Sequence, residues 1–395
     1  MVKKIICMLA PFVIAIIFSV LLNEFLDVKI DYMLKNKNLN QINNEYGSIY
    51  KDKGVVYNEY VTMNEYPVLQ GSSELGAQVS QVPTNFFPVN GFDKLITNGR
   101  AYSQNLHQIS ILGSQANIDK ERKVALILSL QWFMNDTGID NNSYQANFAP
   151  VQFYNFLDNK DITEEHRVEY ASRAIELLEG SNQFKQERLF ARLYVSSSNK
   201  GKVGTMLFKP YFYARKFMLE LKDKGLLYKR LMNLPEREDH VKYADVDWDS
   251  EYIKAEKEAE SQVSNNNFYV FDTYYEHNLK PYIEAQKNSN AGVNLMNSKE
   301  FDDYKLYLDT CVDLGIKPYI ILMPTNGWWY DYTGMTKKSR DEFYDVVQSM
   351  GEQRGFEVLN LKDEEYTPYF MCDVMHLGTK GWLKVDEELY KYFKE

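Results

Sequence analysis

Two adjacent serines follow a glycine in Gly71-Ser72-Ser73, between a short apolar segment and a stretch compatible with the start of a helix. Residues 66–70 are predicted to form a buried strand, and residues 74–79 the first part of the helix. The junction of a strand end and a helix start carries the chemistry of open α/β sheets, and free N–H groups there stabilise a developing anion. A serine at this junction is a candidate nucleophile, but Gly-Ser-Ser is also a common turn. The base that would activate it has to lie elsewhere in the chain.

A candidate base lies near the C-terminus, in Asp373-Val374-Met375-His376. An Asp three residues before a His can hold one imidazole nitrogen while the other nitrogen accepts a hydroxyl proton. The same pattern also arises from a helix-capping Asp beside a surface His. No third ligand with suitable spacing indicates a metal site, and no cofactor is expected. The other histidines show no comparable pattern: His107, His166, His240 and His277.

The chain around these motifs alternates strands with helices. Strands are predicted at residues 66–70, 93–97, 123–130, 317–323 and 356–359, and helices at 103–112, 298–315, 339–354 and 379–393. Residues 123–130 are almost continuously apolar, as in a strand buried on both faces. The alternation predicts an α/β fold with a parallel sheet sandwiched by helices.

A long segment from about residue 148 to residue 296 has a different character. It contains helix-like stretches with charged faces and no strong strand, at residues 163–179, 182–194, 207–232 and 249–261. We interpret it as a large helical insertion within a catalytic domain that spans residues 65–395. Capping-box patterns at residues 161–164, 297–300 and 339–342 predict helix starts at those positions.

The N-terminus carries an uncharged apolar run at residues 5–22, preceded by Lys3 and Lys4. As a helix it would span about 27 Å, close to the thickness of a bilayer's hydrocarbon core. A cleaved signal peptide is the alternative, but residues 23–27 offer no small-residue cleavage site. We therefore expect residues 1–27 to be an uncleaved transmembrane anchor. The two lysines place its N-terminus in the cytoplasm and the remaining chain outside the cell, with residues 28–64 as a membrane-proximal stalk.

The overall charge argues against one class of partner. The net charge is −10, the isoelectric point is near 5.3, and no Lys/Arg-rich run is present. Nucleic acid is therefore an unlikely partner for this chain.

Together the serine turn and the Asp-x-x-His motif resemble the SGNH/GDSL hydrolase superfamily, which has Gly-x-Ser after its first strand and Asp-x-x-His before its last helix. Further segments resemble the DltD family of D-alanine transfer proteins of Gram-positive bacteria, and that resemblance covers nearly the whole chain. They are the apolar anchor, residues 129–133 (Ser-Leu-Gln-Trp-Phe), residues 323–334 with their Asn-Gly-Trp-Trp sequence, and residues 376–382 (His-Leu-Gly-Thr-Lys-Gly-Trp).

The resemblance implies a role for each matching residue. Ser73 would be the nucleophile, with His376 and Asp373 completing a triad, and Ser72 stands where most relatives have Asp. The oxyanion donors would be the backbone N–H groups of Ser73 and Gly99 and the side-chain amide of Gln131. Gln131 departs from the superfamily, which usually has Gly-x-Asn there. In addition, Leu75 occupies the last position of Gly-x-Ser-x-Gly, which excludes an α/β-hydrolase elbow.

The resemblance also implies a reaction and its partners. The chain would transfer D-alanine to hydroxyl groups of teichoic acid at the outer membrane surface. Its partners would be the teichoic acid polymer and a donor system of carrier protein and membrane O-acyltransferase. Two alternatives remain: an esterase or thioesterase of the cell envelope, and a non-catalytic docking protein for that donor system.

Overall fold

The computed structural model describes residues 2–199, 202–238 and 241–394. Within them, five strands form one parallel sheet: β1 (Val68–Gln70), β2 (Ile96–Asn98), β3 (Val124–Leu128), β4 (Tyr319–Leu322) and β5 (Val358–Asn360). The strand order is β2-β1-β3-β4-β5. All neighbouring strands run parallel, with Val68 paired to Ile96 on one side and to Val124 on the other. The α/β class with a parallel sheet, predicted from the sequence, is confirmed.

Helices precede the sheet, cover it and fill the long connection between β3 and β4. Before β1 lie α1 (Val2–Asn36), α2 (Asn40–Asn43), α3 (Ile49–Asp52) and α4 (Val56–Met63), and between β1 and β3 lie α5 (Pro83–Phe86) and α6 (Asn105–Gly113). Between β3 and β4 lie α7 (Asn141–Asn147), α8 (Pro150–Asp158), α9 (Glu164–Leu177), α10 (Lys185–Asn199), α11 (Lys202–Met232), α12 (Trp248–Glu260), α13 (Asp272–Tyr274), α14 (Ile283–Gln286) and α15 (Glu300–Asp313). After β4 lie α16 (Gly327–Tyr332), α17 (Lys337–Glu352) and α18 (Thr379–Lys394).

Side chains of β3 alternate between two apolar clusters, one on each face of the sheet. Leu126 and Leu128 belong to the cluster formed with the helices between β3 and β4. Ala125 and Ile127 belong to the opposite cluster, which contains Trp382 of α18. Burial on both faces explains why the strand is almost continuously apolar in sequence.

The predicted insertion shares the core of the sheet. Phe153 and Phe156 of α8 and Tyr170 of α9 are buried in the same cluster as Leu126. Gly113 at the end of α6 lies so close to the Phe156 ring that a Cβ would overlap it. The helical segment is thus an integral layer of the body.

All three capping-box predictions are wrong by a few residues. Helix α15 begins after Lys299, which makes no side-chain cap. Thr163 caps α9 by accepting a hydrogen bond from the His166 N–H, and Thr336 caps α17 by accepting one from the Ser339 N–H. Asp161 instead accepts the N–H of Asn117. Near residues 161 and 339 a threonine was an equally good candidate cap.

The N-terminal helix α1 contains one segment, Ala10–Asn36, that is long and apolar enough to cross a membrane. Residues 28–64 do not stand away from the body as a stalk. Ile30 and Leu34 of α1, together with Tyr57 of α4, are buried in a third cluster with Ile96 of the edge strand β2 and Leu231 of α11. This packing joins the apolar helix firmly to the sheet.

Two helical glycines give a matched pair for testing the packing of α18. A Cβ on Gly381 would overlap the Phe370 carbonyl, whereas a Cβ on Gly225 in α11 would have no heavy atom within 4 Å. We expect Gly381→Ala to lower the free energy of unfolding by about 1–3 kcal/mol through overpacking. Gly225→Ala should raise it by up to about 1 kcal/mol through helix propensity. Denaturant titration of the detergent-solubilised chain measures both, and equal effects would contradict the packing described.

Candidate active site

The two serines after β1 have different environments. Ser72 is 2% exposed, and its hydroxyl donates to the carbonyl oxygen of Arg100 at 3.2 Å. Ser73 begins a single 3-10 turn, Ser73–Gly76, in place of the longer helix expected from residue 74. Its side chain is half-buried and faces the C-terminal part of the chain. Ser72 therefore serves the fold, while Ser73 is available for chemistry.

Ser73, His376 and Asp373 form a continuous hydrogen-bonded chain. Ser73 Oγ lies 3.0 Å from His376 Nε2, and His376 Nδ1 lies 2.7 Å from Asp373 Oδ2. The carboxylate thereby fixes the tautomer in which Nε2 is free to accept the serine proton. This is the geometry required of a nucleophile, its base and the group that orients the base.

The turn that carries the acid and the base is fixed by its own backbone. Asp373 Oδ1 accepts the N–H groups of Met375 and His376, both at 2.7 Å, so each carboxylate oxygen has a partner. Met371 and Leu377 pair as an antiparallel bridge across the turn. The Asp373 carboxylate thus shapes the turn as well as orienting the imidazole.

A second carboxylate, from Glu74, lies beneath the nucleophile. Glu74 is 3% exposed and accepts the Ser72 N–H at 2.8 Å, and the indole N–H of Trp132 also donates to it. Burial raises the pKa of Glu74, and the nearby His376 opposes that rise. Glu74 was not predicted as a site residue from the sequence, although an acidic residue directly after a candidate nucleophile is a visible signal.

The electrostatics of His376 reflect both carboxylates. Burial lowers the pKa of His376, but the hydrogen bond and charge of Asp373 and the charge of Glu74 raise it, and the net shift is upward. The charged form of the His376 imidazole is therefore stabilised, which suits a general base.

The two residues expected to complete an oxyanion hole differ in their availability. The Gly99 N–H donates to Asp52 Oδ1 at 3.0 Å, so this group is already engaged. Asp52 is buried, and burial raises its pKa to about 6 against the opposing charges of Lys51 and Arg100. The expected role of the Gly99 N–H as a donor is not supported by this geometry.

Gln131 lies in the 3-10 turn Leu130–Phe133, directly after β3. Its side chain is half-buried and hydrogen-bonds to the hydroxyl of Tyr330. The strand order reverses between β1 and β3, so Ser73 and Gln131 follow the two strands that flank the switch point where open α/β sheets bind ligands.

The other histidines do not form a comparable site among the described residues. His107 is buried, burial lowers its pKa to about 4, and its Nε2 lies 3.1 Å from the Tyr144 carbonyl. His166 Nδ1 lies 2.6 Å from Asp313, and the Thr163 hydroxyl contacts the same nitrogen. The imidazole therefore does not lie between a hydroxyl and a carboxylate, as it must in a triad. His240 lies outside the described residues.

The charge of Glu74 can be tested through the pH dependence of serine acylation. Acylation needs neutral His376, so its rate falls as pH drops through a pKa above the ordinary value of about 6.5. Glu74→Gln removes a charge that raises the pKa of His376. We therefore expect the acid limb of the pH–rate profile to move to lower pH. The measurement is the acylation rate with an activated ester at a series of pH values. Glu179→Gln, a surface change in the insertion, should leave the limb in place, and an unmoved limb in Glu74→Gln would contradict the electrostatic role.

Comparison with known proteins identifies the family. The family model described as DltD protein matches residues 43–394. The chain is 31% identical to Protein DltD of Bacillus subtilis (strain 168) over 334 residues, which cover 83% of this chain and 82% of that protein. It is 27% identical to Protein DltD of Staphylococcus aureus (strain NCTC 8325 / PS 47), over 88% of this chain and 84% of that protein. The chain therefore belongs to the DltD family.

Proposed function

We propose that this chain is a membrane-anchored serine acyltransferase that transfers D-alanine to hydroxyl groups of teichoic acid on the outer face of the cell membrane. The observation that carries the proposal is the 3.0 Å contact between Ser73 Oγ and His376 Nε2, with Asp373 on the other imidazole nitrogen. Membership of the DltD family and the resemblance to D-alanine transfer proteins supply the acyl group and the acceptor.

The first half-reaction forms a serine ester. His376 Nε2 takes the Ser73 hydroxyl proton as Oγ attacks the carbonyl carbon of an activated D-alanyl donor. A tetrahedral oxyanion forms and collapses, the bond to the donor breaks, and the leaving group receives the proton from His376. D-alanine is then esterified to Ser73, and the imidazole is neutral again.

The second half-reaction passes the acyl group to the polymer. A teichoic acid hydroxyl gives its proton to His376 and attacks the ester carbonyl. The bond to Ser73 Oγ breaks, and the serine recovers its proton from the imidazolium. Each ester leaves a free amine on an anionic polymer, which lowers the net negative charge of the cell wall and weakens its attraction for cationic peptides.

The oxyanion would be stabilised by the Ser73 N–H and the Gln131 amide. Ser73 is the first residue of its 3-10 turn, and first-turn N–H groups lack carbonyl partners within the turn. Gln131 supplies a longer amide than the Asn usual in the SGNH superfamily, and its contact with Tyr330 restrains it.

The proposed location follows from α1. Its apolar segment would cross the membrane with the N-terminus in the cytoplasm, because Lys3 and Lys4 precede it. The carrier protein and membrane O-acyltransferase expected from the resemblance would deliver the acyl group, and residues 65–395, with the helical insertion, would act outside the cell.

Replacing each serine separately tests the nucleophile. In cells whose own copy is deleted, Ser73→Ala should abolish the D-alanine esters released from the cell wall by mild base. Ser72→Ala loses one buried hydrogen bond, worth about 1 kcal/mol, and should retain the esters. Normal ester levels in Ser73→Ala would reject catalysis and favour a docking protein. Rapid release of free D-alanine from D-alanylated teichoic acid by the purified chain would favour a hydrolase.

The role of the Gln131 amide can be tested by comparing a variant of Gln131 with a variant of its partner Tyr330. Gln131→Ala should lower kcat about 10²–10³-fold with little change in KM, because the amide would act only in the transition state. Tyr330→Phe removes the partner hydroxyl but leaves the amide, so we expect a much smaller loss. Equal losses in steady-state kinetics would mean that Gln131 serves only to hold Tyr330.

A further inference from the structure

The charge of the chain is distributed unevenly. We name α10 and the first half of α11, residues 202–217, the basic hairpin. The sequence from residue 185 to residue 217 contains eight Lys/Arg and one Glu, a net charge of +7 in a chain whose overall net charge is −10. Such a segment is suited to an anionic surface.

Helix α11 runs in the same direction as α1. Near the start of their contact, Lys224 Nζ lies 2.9 Å from Asn23 Oδ1 and 2.5 Å from Asp27 Oδ1. Just past the C-terminal ends of both helices, the Arg237 N–H donates to the Asn36 carbonyl at 2.7 Å. The part of α11 before Lys224 therefore extends toward the end of α1 that carries its apolar residues.

That part of α11 exposes aromatic side chains beside a basic one. Phe208 and Tyr211 are each 47% exposed and Tyr213 is 55% exposed, and Lys209 Nζ lies 5.5 Å from the Tyr213 ring centroid. Phe212 of the same helix is buried against the body, and Tyr211 and Tyr213 lie on either side of it around the helix. Aromatic rings interleaved with lysine are typical of helices that lie at the membrane interface, where the rings sit among headgroups and the ammonium reaches the phosphates.

We infer that the exposed face of the basic hairpin rests in the headgroup region of the bilayer that α1 crosses, with a preference for anionic lipid. The inference rests on the membrane anchoring in the proposed function. The first part of α11 extends toward the apolar end of α1, and its surface combines exposed aromatic rings with positive charge. An anionic polymer would account for the charge but not for the aromatic rings. Together with α1, this second contact would fix the tilt of the body over the membrane.

Depth-dependent quenching in vesicles tests the inference. The full chain, with Cys7 replaced by Ser, is labelled with a fluorophore at Tyr213→Cys and placed in vesicles of phosphatidylglycerol and phosphatidylcholine that contain nitroxide lipids. The native Cys311 and Cys372 are both buried. Phe18→Cys in α1 is the membrane control. Tyr282→Cys is the aqueous control, because Tyr282 is 60% exposed and lies just before α14.

The expected result is strong quenching at positions 18 and 213 and little at position 282. Quenching at position 18 with none at position 213 would overturn the inference and leave the anchor intact. Quenching at neither position would overturn both the anchor and the inference. If the fluorescence of the label at position 213 responds only to added soluble polyglycerol phosphate and not to the vesicles, the surface binds polymer and the inference also fails.

Charge reversal tests the preference for anionic lipid. Lys185, Arg192 and Lys209 are all exposed. Each should contribute about fivefold to the affinity of the hairpin for an anionic surface. Their replacement by Glu should therefore abolish quenching at position 213 in phosphatidylglycerol vesicles and leave position 18 quenched. Unchanged quenching at position 213 would overturn the electrostatic part of the inference.

Discussion

The hydrogen bond between Ser73 and His376 joins residues 303 positions apart in the chain, and the other elements of the fold hold its two ends 3.0 Å apart. Both ends are attached to one apolar cluster. Leu69 and Leu75 flank the serine turn, Trp382 lies in the first turn of α18 after the histidine turn, and all three are buried together. Close packing of such a cluster resists small displacements, so many weak contacts fix the distance between Ser73 and His376.

Three carboxylates, two of them buried, shape the loops at the carboxyl edge of the sheet. Glu74 accepts the N–H of Ser72, Asp52 that of Gly99, and Asp373 those of its own turn. A buried carboxylate is costly unless it is hydrogen-bonded, and burial raises the pKa of both Glu74 and Asp52. Each therefore stabilises one conformation of the loop whose N–H groups it accepts. The loops around Ser73 are rigid for this reason, although they contain little regular structure.

Local patterns in the sequence were sufficient to predict the parallel sheet and the pairing of His376 with Asp373. The apolar run of β3 and the spacing of Asp373 and His376 are signals carried by neighbouring residues. The role of Asp52 was not predictable, because its partner Gly99 is 47 positions away and nothing local distinguishes Asp52 from a surface acid. The pairing of His166 with Asp313, 147 positions away, was missed for the same reason. These two features depend on tertiary contacts between distant positions, which local sequence patterns do not indicate.

The firm attachment of the body to α1 bears on the proposed reaction. Helix α1 continues to Asn36 without a break, so about 14 residues, or roughly 21 Å of helix, follow its apolar run at residues 5–22. Ile30 and Leu34 bury that extension against the sheet edge and α11, which leaves no flexible linker between anchor and body. With α1 in the membrane as proposed, a body held in this way would confine Ser73 to a narrow range of heights above the bilayer. In the proposed reaction the donor system is also held at the membrane, so this confinement raises the effective concentration of the reacting groups without any additional contact between them.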